Sequence, residues 1–592
     1  MGTIETKSVS RVENILADYA GFVQTERRLP TGVELKEQFD ITKKTVEHHF
    51  SNYEKLMKAA REAYPKAFEN IFMPDDFSTE AFSQLVKDIK KYKRFVVTTA
   101  ICGDKVNKDF LKALKNYCQR RKAKLLIIPS GHDLVKLDST LKGEGIVTHE
   151  LYLNSNIRID PVVLNPKVLR PMSGLSRIGQ RSCSTIYAAP KLTKESIATD
   201  TGKLPHLIMT TGAITDANYV PRERIMKKKV DHVAYNDHDL AAIIVEIADG
   251  QIFFQREMQA DLDGSVVDLT INGPVRYFAN GKVKAEKALN FNVPDWHHGE
   301  TAEDCYQIWP ELAELSKAES VSLHDVLSYR GHSHHTKDNE ILSAQIEEAG
   351  VADPVAEFQG LADDFMMWQK RVKNAQFYIV ASNHPEHVDK AITEGTLNQP
   401  QTKRTYLELA LAMLDGNDPL QWGLKKYGKF SSTRFTFLSR DDRHVLRNKQ
   451  GEMALHNHGD RSKDGSRNSG QSAGVVESLG CAVINHLHSP KIIAGGTLGG
   501  KGNGTVWVGG TSTVCDGDER PGYSLGFASS WLKTGTFVYG SKNGRFLRQQ
   551  ITLIGGQWCL DSGRPKIQKD VRAKRHKEMA EILKKRRVRG LY

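Results

Sequence analysis

Five short clusters of Asp, Asn and His side chains lie between residues 295 and 488. In chain order they are Asp295-Trp296-His297, His324-Asp325, Ser382-Asn383-His384, His456-Asn457-His458-Gly459 and Asn485-His486-Leu487-His488. A single His beside a strand is usually a structural residue, so the series as a whole carries the argument. Two clusters directly follow apolar, strand-like runs, at 377–381 and 481–484. Because loops at the carboxyl ends of strands converge on one crevice in α/β folds, we expect the clusters to meet.

The order D-x-H, D, N-H, H-G and H-x-H resembles that of the calcineurin-like metallophosphoesterase superfamily, which includes the Mre11-type nucleases. Three turns depart from the usual pattern. The second motif usually begins with Gly and here has His324, the third has Ser382 before the Asn-His pair and Pro385 after it, and the last has Asn485 in place of Gly. All the metal-binding atoms are retained, so the departures affect turn geometry and supporting contacts.

The resemblance implies a centre of two divalent metal ions, for which Asp, Asn and His supply suitable oxygen and nitrogen donors. It implies that Asp325 bridges the two ions, for which Mn, Fe and Zn stay open. The remaining ligands are then Asp295, His297 and His488 for one ion, and Asn383, His458 and His486 for the other. His384 is implied as a catalytic residue that faces the scissile phosphate and protonates the leaving oxygen.

Several further His residues lie beside these clusters. We expect His298, His335 and His456 to support the ligands or to contact substrate. Gly331-His332-Ser333-His334 spells the superfamily's final G-H-x-H motif better than Asn485-His486-Leu487-His488 does. It precedes the Asn-His and His-Gly clusters, however, and the order predicts that His332 and His334 lie at the rim of the site.

The chain has 592 residues, which is too long for a single hydrophobic core. Hydrophobic residues make up 39% and the mean hydropathy is −0.45. We find no apolar run long enough to span a bilayer and no signal sequence. The seven Cys residues lack C-x-x-C spacing, as is typical of a reducing compartment. These observations predict a soluble, cytoplasmic protein without transmembrane segments.

The formal net charge is +12, and its distribution is uneven. From Lys566 to the end of the chain, eleven Lys and Arg residues stand against three Asp and Glu residues. Such a segment favours a polyanion, because neutralising phosphates releases counterions. We expect Arg586 and Arg587 to contact DNA, although a solvated helix with a basic end would have the same composition.

The first 65 residues indicate a helix-turn-helix-like unit. Thr31 and Thr42 are candidate N-caps of two short helices, and Leu35, Ile41, Val46 and Phe50 are expected on their inner face. Lys43 and Lys44 then lie outward in the first turn of the second helix, where we expect them to contact DNA. Similar three-helix units also occur purely as packing elements, so this alternative stays open.

The pattern of strands and helices predicts an α/β protein with a layered, metallophosphoesterase-like β-sandwich flanked by helices. We divide the chain into helical, platform, catalytic, β-extension and basic-tail segments at 1–65, 66–289, 290–515, 516–565 and 566–592. The turn 102–105 lacks G-x-G-x-x-G, so no dinucleotide site is indicated in the platform segment.

The superfamily resemblance does not select a substrate. The helix-turn-helix-like unit and the basic tail favour nucleic acid, so we expect a metal-dependent DNase. The arrangement more distantly resembles the first-step DNA-transfer proteins of T5-type phages. That resemblance implies a phage protein that degrades host DNA in the host cytoplasm, with Mn²⁺ as the metal and a second phage DNA-transfer protein as a partner. We also expect a homo-oligomer.

Two alternatives remain open at this point. One is a phosphatase or phosphodiesterase of small substrates, whose basic segments only localise the protein. The other is a non-catalytic DNA-binding or assembly protein in which the altered motifs leave a degenerate metal site.

Overall fold

The structure is a computed structural model. It describes residues 2–69, 71–131, 133–162, 164–168, 170–175, 183–199, 204–218, 229–332, 341, 344, 348, 353–461, 481–495, 504–515 and 529–563. Helices and several β-sheets both contribute to the chain, which confirms the predicted α/β class.

The α-helices are α1 (Gly2–Glu26), α2 (Gly32–Phe39), α3 (Lys43–Phe50), α4 (Tyr53–Ala63), α5 (Pro65–Phe68), α6 (Thr79–Ile89), α7 (Lys108–Arg121), α8 (Lys229–Asn236), α9 (Glu303–Leu315), α10 (Pro354–Arg371), α11 (Glu386–Thr393), α12 (Lys403–Leu414) and α13 (Pro419–Lys426). The strands are β1 (Arg94–Ile101), β2 (Lys124–Ser130), β3 (Gly145–Ile146), β4 (Leu151–Asn154), β5 (Ile157–Asp160), β6 (Ser184–Tyr187), β7 (Leu192–Ile197), β8 (His206–Thr211), β9 (Ala241–Ile247), β10 (Phe253–Gln259), β11 (Val266–Thr270), β12 (Gly273–Tyr277), β13 (Val283–Ala285), β14 (Asn290–Val293), β15 (Ser320–His324), β16 (Gln376–Val380), β17 (Phe435–Phe437), β18 (Val445–Asn448), β19 (Gly451–Ala454), β20 (Ala482–Ile484), β21 (Lys491–Gly495), β22 (Gly504–Val508), β23 (Thr534–Tyr539) and β24 (Leu547–Thr552).

The N-terminal helices have the caps that the sequence predicts. The Thr31 side chain accepts a hydrogen bond from the backbone N–H of Glu34, whose carboxylate in turn accepts one from the Thr31 backbone. Asp40 closes α2 in a left-handed conformation, and Thr42 accepts a hydrogen bond from Thr45 at the start of α3. These caps satisfy amide groups that the helices themselves leave without partners.

The inner face of this helical unit also follows the prediction. The side chains of Leu35, Ile41, Val46 and Phe50 are buried in one cluster with residues of α1 and α4. Lys43 and Lys44 are exposed on α3.

A five-stranded sheet follows, in the order β10-β9-β1-β2-β3. Strands β1, β2 and β3 are parallel, and β9 is antiparallel to β1 and β10. Helix α7 covers one face through Phe110, Leu114 and Tyr117, which are fully buried. The same cluster includes Val266 and Tyr277 of the small antiparallel sheet β11-β12-β13.

The six-stranded sheet carries the candidate site and has the order β17-β16-β15-β14-β23-β24. Strands β14 to β17 are parallel, whereas β23 is antiparallel to β14 and β24. On one face, Phe291 stacks on Phe537 with ring centroids 4.2 Å apart, and Trp309 of α9 and Trp368 of α10 complete that cluster. Helices therefore cover this face of the sheet.

The opposite face of the six-stranded sheet contacts a second, ten-stranded sheet. Its order is β18-β19-β20-β22-β21-β7-β8-β6-β5-β4. Val538 of β23 lies in one hydrophobic cluster with Val483 of β20 and Trp507 of β22. The pairing of β7 with β21 brings Glu195 opposite Lys491, so strands from both sides of residue 290 share this sheet.

Candidate metal centre

Three adjacent parallel strands deliver the first three clusters to one edge of the six-stranded sheet. Asp295 comes two residues after β14, Asp325 directly follows β15, and Asn383 comes three residues after β16. Beyond the strands, the first two clusters stay side by side, because the backbone N–H of His297 donates to the carbonyl of Asp325 at 2.8 Å. The sequence thus brings these side chains together through ordinary parallel pairing.

The fourth and fifth clusters reach the same place from the ten-stranded sheet. The backbone N–H of Asn485 donates to the carbonyl of His458 at 3.0 Å, and that of His486 donates to Asp295 Oδ2 at 3.0 Å. Three groups of side chains result, in each of which the ligand atoms lie within 4.8 Å of one another: Asp295, His297 and His488; Asp295, Asp325 and His458; and His297, Asp325 and His384.

The first group is the tightest. His488 Nε2 lies 3.1 Å from Asp295 Oδ2 and 3.2 Å from His297 Nε2. Asp295 and His297 are almost completely buried. These three side chains are the ones that, with Asp325, the metallophosphoesterase resemblance implies as ligands of one ion.

Asp325 is a member of both of the other two groups. Its Oδ2 atom is 3.5 Å from His458 Nε2, 3.7 Å from His297 Nε2 and 3.8 Å from His384 Nε2. His384 also donates its backbone N–H to Asp325 Oδ1 at 3.1 Å. One carboxylate thus faces imidazoles from three different clusters, and its bridging of two ions stays a prediction.

The remaining two predicted ligands lie close by. His486 is outside the three groups, and its ring centroid is 5.1 Å from that of His458. Asn383 Oδ1 is buried and has no hydrogen-bond partner. Their coordination of a metal stays a prediction.

Four of the candidate ligands have left-handed backbone conformations. The φ angles of His297, Asp325, His486 and His488 are 48°, 45°, 74° and 57°. Such a conformation costs a residue other than glycine about 1–2 kcal/mol. Several residues with this strained conformation in one site are typical of functional sites, where contacts with the surrounding structure stabilise the strained backbone.

His324 and Asn485, two of the residues at which the sequence departs from the metallophosphoesterase pattern, lie outside the left-handed region and form side-chain contacts. The Asn485 side chain donates to the carbonyl of Val293 at 2.7 Å. His324 Nε2 lies 2.9 Å from the Asn292 side-chain amide, and its Nδ1 lies 3.4 Å from His458 Nδ1. These substitutions therefore tie β14, β15 and the His458 loop together behind the site.

Neighbouring charges keep Asp295 and Asp325 ionised and burial keeps the His297 imidazole neutral, which are the protonation states that metal ligands need. Burial opposes ionisation of Asp295, but His458 and His488 outweigh it and lower its pKa to about 2. The pKa of Asp325 also lies well below its usual range, because His384 and His458 outweigh burial. Burial, reinforced by His384, lowers the pKa of His297 to about 3, so this imidazole is neutral.

His458 is the exception. Burial favours its neutral form, but Asp295 and Asp325 outweigh burial and raise its pKa to about 9. Two ionised carboxylates thus stabilise one positive charge between them. A divalent cation bound there would supply the positive charge that the two carboxylates favour. His458 would then be neutral and able to coordinate the cation.

Unpaired buried atoms provide a further test of whether a cation fits. Asn383 Oδ1 is buried and lacks a hydrogen-bond partner, whereas Asp295 Oδ1 and His458 Nε2 have no hydrogen bond but form ion pairs with His458 Nδ1 at 3.6 Å and with Asp325 Oδ2 at 3.5 Å. An unsatisfied buried polar atom costs about 1–3 kcal/mol. The mixed oxygen and nitrogen donor set suits Mn²⁺, Fe²⁺ or Zn²⁺, so the residues present fit such an ion.

An ion-pair network, not predicted from sequence, connects two of the loops. Arg440 donates to both oxygens of Asp460, at 2.8 and 2.7 Å, and to Glu386 at 2.9 Å. Asp460 comes two residues after His458, and Glu386 two residues after His384. Asp460 directly follows the H-G motif and could have been suspected, whereas no local signal distinguishes Arg440.

The other predicted residues lie around this centre. His298 Nδ1 is 2.6 Å from Asp364, a carboxylate of α10 that also accepts from Trp296 Nε1 at 2.9 Å. His456 Nδ1 lies 3.1 Å from the carbonyl of His444. His332 is buried, with its ring centroid 5.3 Å from that of Tyr329. His334, His335, Arg586 and Arg587 lie outside the described residues.

Comparison with known proteins adds one relationship. None of the known protein-family models matches the chain. The chain is similar to Protein A1 of Escherichia phage T5, with 24% identity over 535 residues, which cover 83% of this chain and 88% of that protein.

This similarity extends over most of both chains and supports the predicted resemblance to a T5-type phage protein. Among the described residues, no helix is long and apolar enough to cross a membrane. Membership of the metallophosphoesterase superfamily stays a prediction.

Proposed function

We propose that this protein is a phage metal-dependent DNase that hydrolyses phosphodiester bonds at a two-metal centre. One observation carries the proposal. The Asp325 carboxylate belongs to two of the three groups of candidate ligands, and the ligand atoms of each group lie within 4.8 Å of one another. Carboxylates shared in this way can serve two cations side by side.

Asp295, His297 and His488 would hold one ion, Asn383, His458 and His486 the other, and Asp325 both. When bound, two such ions neutralise charge on the phosphate and make water a stronger nucleophile at neutral pH. The chain itself supplies the buried, strained ligands and the contacts that orient them.

His384 is the candidate general acid. Its side chain is 26% exposed, whereas those of His297 and Asp325 are each 2% exposed. Nδ1 lies 3.3 Å from the carbonyl of Ser328, which favours a proton on Nδ1 and leaves Nε2 facing the site. A second proton on Nε2 can pass to the leaving oxygen of a phosphodiester.

The substrate class follows from features outside the centre, because the centre's chemistry acts on many phosphoesters. A net charge of +12 and the exposed Lys43 and Lys44 on α3 favour DNA. Because the chain is similar to a phage protein, we propose that its substrate is host DNA in the host cytoplasm. Manganese as the metal, a homo-oligomer and a second phage DNA-transfer protein as a partner belong to the same proposal.

The test compares substrates and variants in parallel. Purified protein is incubated with supercoiled plasmid and with p-nitrophenyl phosphate esters, with Mn²⁺ or with a chelator. We expect plasmid cleavage that requires Mn²⁺, is abolished in Asp325→Ala and His458→Ala, and is retained in Asp415→Asn, an exposed control.

Two outcomes would contradict the proposal. Turnover of the small esters alone would indicate a small-substrate phosphatase or phosphodiesterase. DNA binding without any hydrolysis would indicate a non-catalytic DNA-binding or assembly protein.

A further inference from the structure

Helix α12 carries a row of leucines on its outward face. Leu407, Leu411 and Leu414 are 48%, 60% and 83% exposed. Their spacing of four and then three residues places them beside one another on one face of the helix. Single exposed leucines are common in soluble proteins, whereas a continuous apolar patch is typical of a surface that another molecule covers. We call these three residues the α12 stripe.

Contacts on the other faces of α12 fix the direction in which the stripe points. Thr405, Leu409 and Ala412 are buried and hold the helix against the rest of the chain. At its side, Glu408 accepts a hydrogen bond from the hydroxyl of Tyr427, which directly follows α13, at 2.6 Å. The α12 stripe therefore cannot turn inward without the loss of these contacts.

The charged residues at the two ends of α12 have an unusual distribution. Lys403 and Arg404 lie in its first turn, Asp415 directly follows its last residue, and all three are exposed. The helix dipole favours the reverse, with acidic groups near the N-terminus and basic groups near the C-terminus. These charges consequently do not stabilise α12 itself, but they suit the dipole of a neighbouring helix that runs in the opposite direction.

A second copy of α12 in antiparallel orientation has matching charges. The first turn of one copy then lies beside the last turn of the other, so Arg404 of each copy meets Asp415 of the other across a two-fold axis. The two residues are eleven positions apart, which is about three helical turns, and so they lie on the same flank of the α12 stripe. Within one copy, the helix separates them by roughly 16 Å, too far for a direct contact.

We infer that the α12 stripe is an interface between two copies of this chain, with the two α12 helices antiparallel about a two-fold axis near Leu411. The inference rests on the proposed function only for the existence of a homo-oligomer, to which it assigns a surface. It gives α12 no part in catalysis, so Asp415→Asn remains a control for DNA cleavage. Three leucines per copy supply less than the roughly 800 Å² per partner of a standard interface, so we expect the contact to dissociate on dilution.

The first test measures the mass of the full-length protein by sedimentation velocity at a series of protein concentrations. Chelator is present and DNA is absent, so a failure of the proposed catalytic activity does not alter the result. The variant Leu411→Glu is compared with Leu262→Glu, which changes a leucine of similar exposure, 54%, in the turn between β10 and β11.

We expect Leu411→Glu to halve the mass of the assembly, because it places two carboxylates together at the centre of an apolar contact. The dissociation constant should rise roughly thirtyfold or more, as it does when a central interface residue is lost. Leu262→Glu should sediment like the unmodified protein at every concentration.

A charge exchange tests the antiparallel orientation. Arg404→Glu and Asp415→Lys each create two like-charged pairs across the interface, and each should weaken association about tenfold. The double variant Arg404→Glu/Asp415→Lys restores opposite charges and should recover most of the affinity. Because the two positions cannot contact each other within one copy, this recovery requires contact between copies. The comparison also replaces the first test if Leu411→Glu proves poorly folded by circular dichroism.

Three results would overturn the inference. They are the mass of a single chain for the unmodified protein at every concentration, an unchanged mass in a folded Leu411→Glu variant, and a double variant that associates no more tightly than the two single variants. The first result would indicate that another protein or another part of this chain covers the α12 stripe. None of the three bears on metal binding or DNA cleavage, so the proposed catalytic function would be unaffected.

Discussion

The Nε2 atoms of His297 and His488 face each other 3.2 Å apart, although 191 residues separate them in the chain. A hydrogen bond between these two nitrogens needs a proton on only one of them. The distance matches adjacent nitrogen ligands of one metal ion, which lie about 3 Å apart when each metal–nitrogen bond is about 2.1 Å. Asp295, 3.1 Å from His488, completes the face of the site.

Replacing either imidazole should therefore deplete the protein of metal. We expect His488→Ala and His297→Ala to lose bound Mn²⁺ and nearly all DNA cleavage, and we expect the same of His486→Ala. His332→Ala serves as the control, because His332 belongs to the better-spelled G-H-x-H motif but lies against Tyr329. Metal content by mass spectrometry decides the assignment, and a depleted His332 variant beside a fully loaded His488 variant would reverse it.

His384 should behave differently from the ligands. It is the most exposed of the imidazoles near Asp325, as a group that meets substrate must be. We expect His384→Ala to keep its metal and to lose turnover by roughly a hundredfold to ten-thousandfold, the usual contribution of a general acid. Parallel measurements of bound Mn²⁺ and of kcat separate the two roles. A loss of metal equal to that in His488→Ala would make His384 a ligand.

Arg440 should affect metal binding indirectly, because it holds together the loops that carry His458 and His384. Lysine cannot reproduce its paired hydrogen bonds to Asp460 while also reaching Glu386. We expect Arg440→Lys to weaken Mn²⁺ binding about 10- to 100-fold, the usual effect of removing a side chain that orients ligands. Arg447→Lys is the matched control, because its pair with Glu452 is exposed on both sides.

Calorimetric titration with Mn²⁺ gives both affinities, and thermal unfolding reports any general loss of structure. If Arg440→Lys and Arg447→Lys bind Mn²⁺ equally well, Arg440 has no part in positioning the centre.

The stability of the protein should fall in weak acid because of His238, which lies between α8 and β9. Burial lowers its pKa to about 4, and its Nε2 lies 2.7 Å from the carbonyl of Thr215. The unfolded chain binds the proton near pH 6.5, before the folded protein does. Stability is therefore complete above pH 6.5 and declines by up to about 3 kcal/mol as the pH falls to 4.

Urea unfolding between pH 7 and pH 4.5 checks this expectation. His238→Gln retains a donor for the Thr215 carbonyl and cannot titrate, so its free energy of unfolding should decline less steeply. Parallel curves for the two proteins would show that His238 contributes nothing to the pH dependence.

Local patterns predicted some features of this fold. The caps at Thr31 and Thr42 could be predicted because the side-chain oxygen of a Thr just before a helix can accept a hydrogen bond from a backbone N–H of the first turn. The meeting of Asp295 with Asp325 follows from parallel strands that end at one edge. The pairing of β7 with β21 could not be predicted, because Glu195 and Lys491 lie almost 300 residues apart and carry no local signal for each other.

The candidate site also combines features that could be predicted from the sequence with features that could not. The chemistry of its residues and their order in the chain indicated the cluster. The bridge from Arg440 to Asp460 and Glu386 depends on a three-dimensional arrangement that no motif encodes. The left-handed conformations of His297 and Asp325 were also hidden, because their sequence context contains no turn signal that requires them.

Anomalous diffraction from crystals grown with Mn²⁺ tests the two-metal centre most directly. The proposed function predicts two anomalous peaks about 4 Å apart, the usual spacing of paired catalytic ions, with the Asp325 carboxylate in contact with both. One peak should also contact His297 and His488, and the other His458. A map with fully ordered Asp295, Asp325 and His458 side chains and no anomalous peak among them would contradict the account.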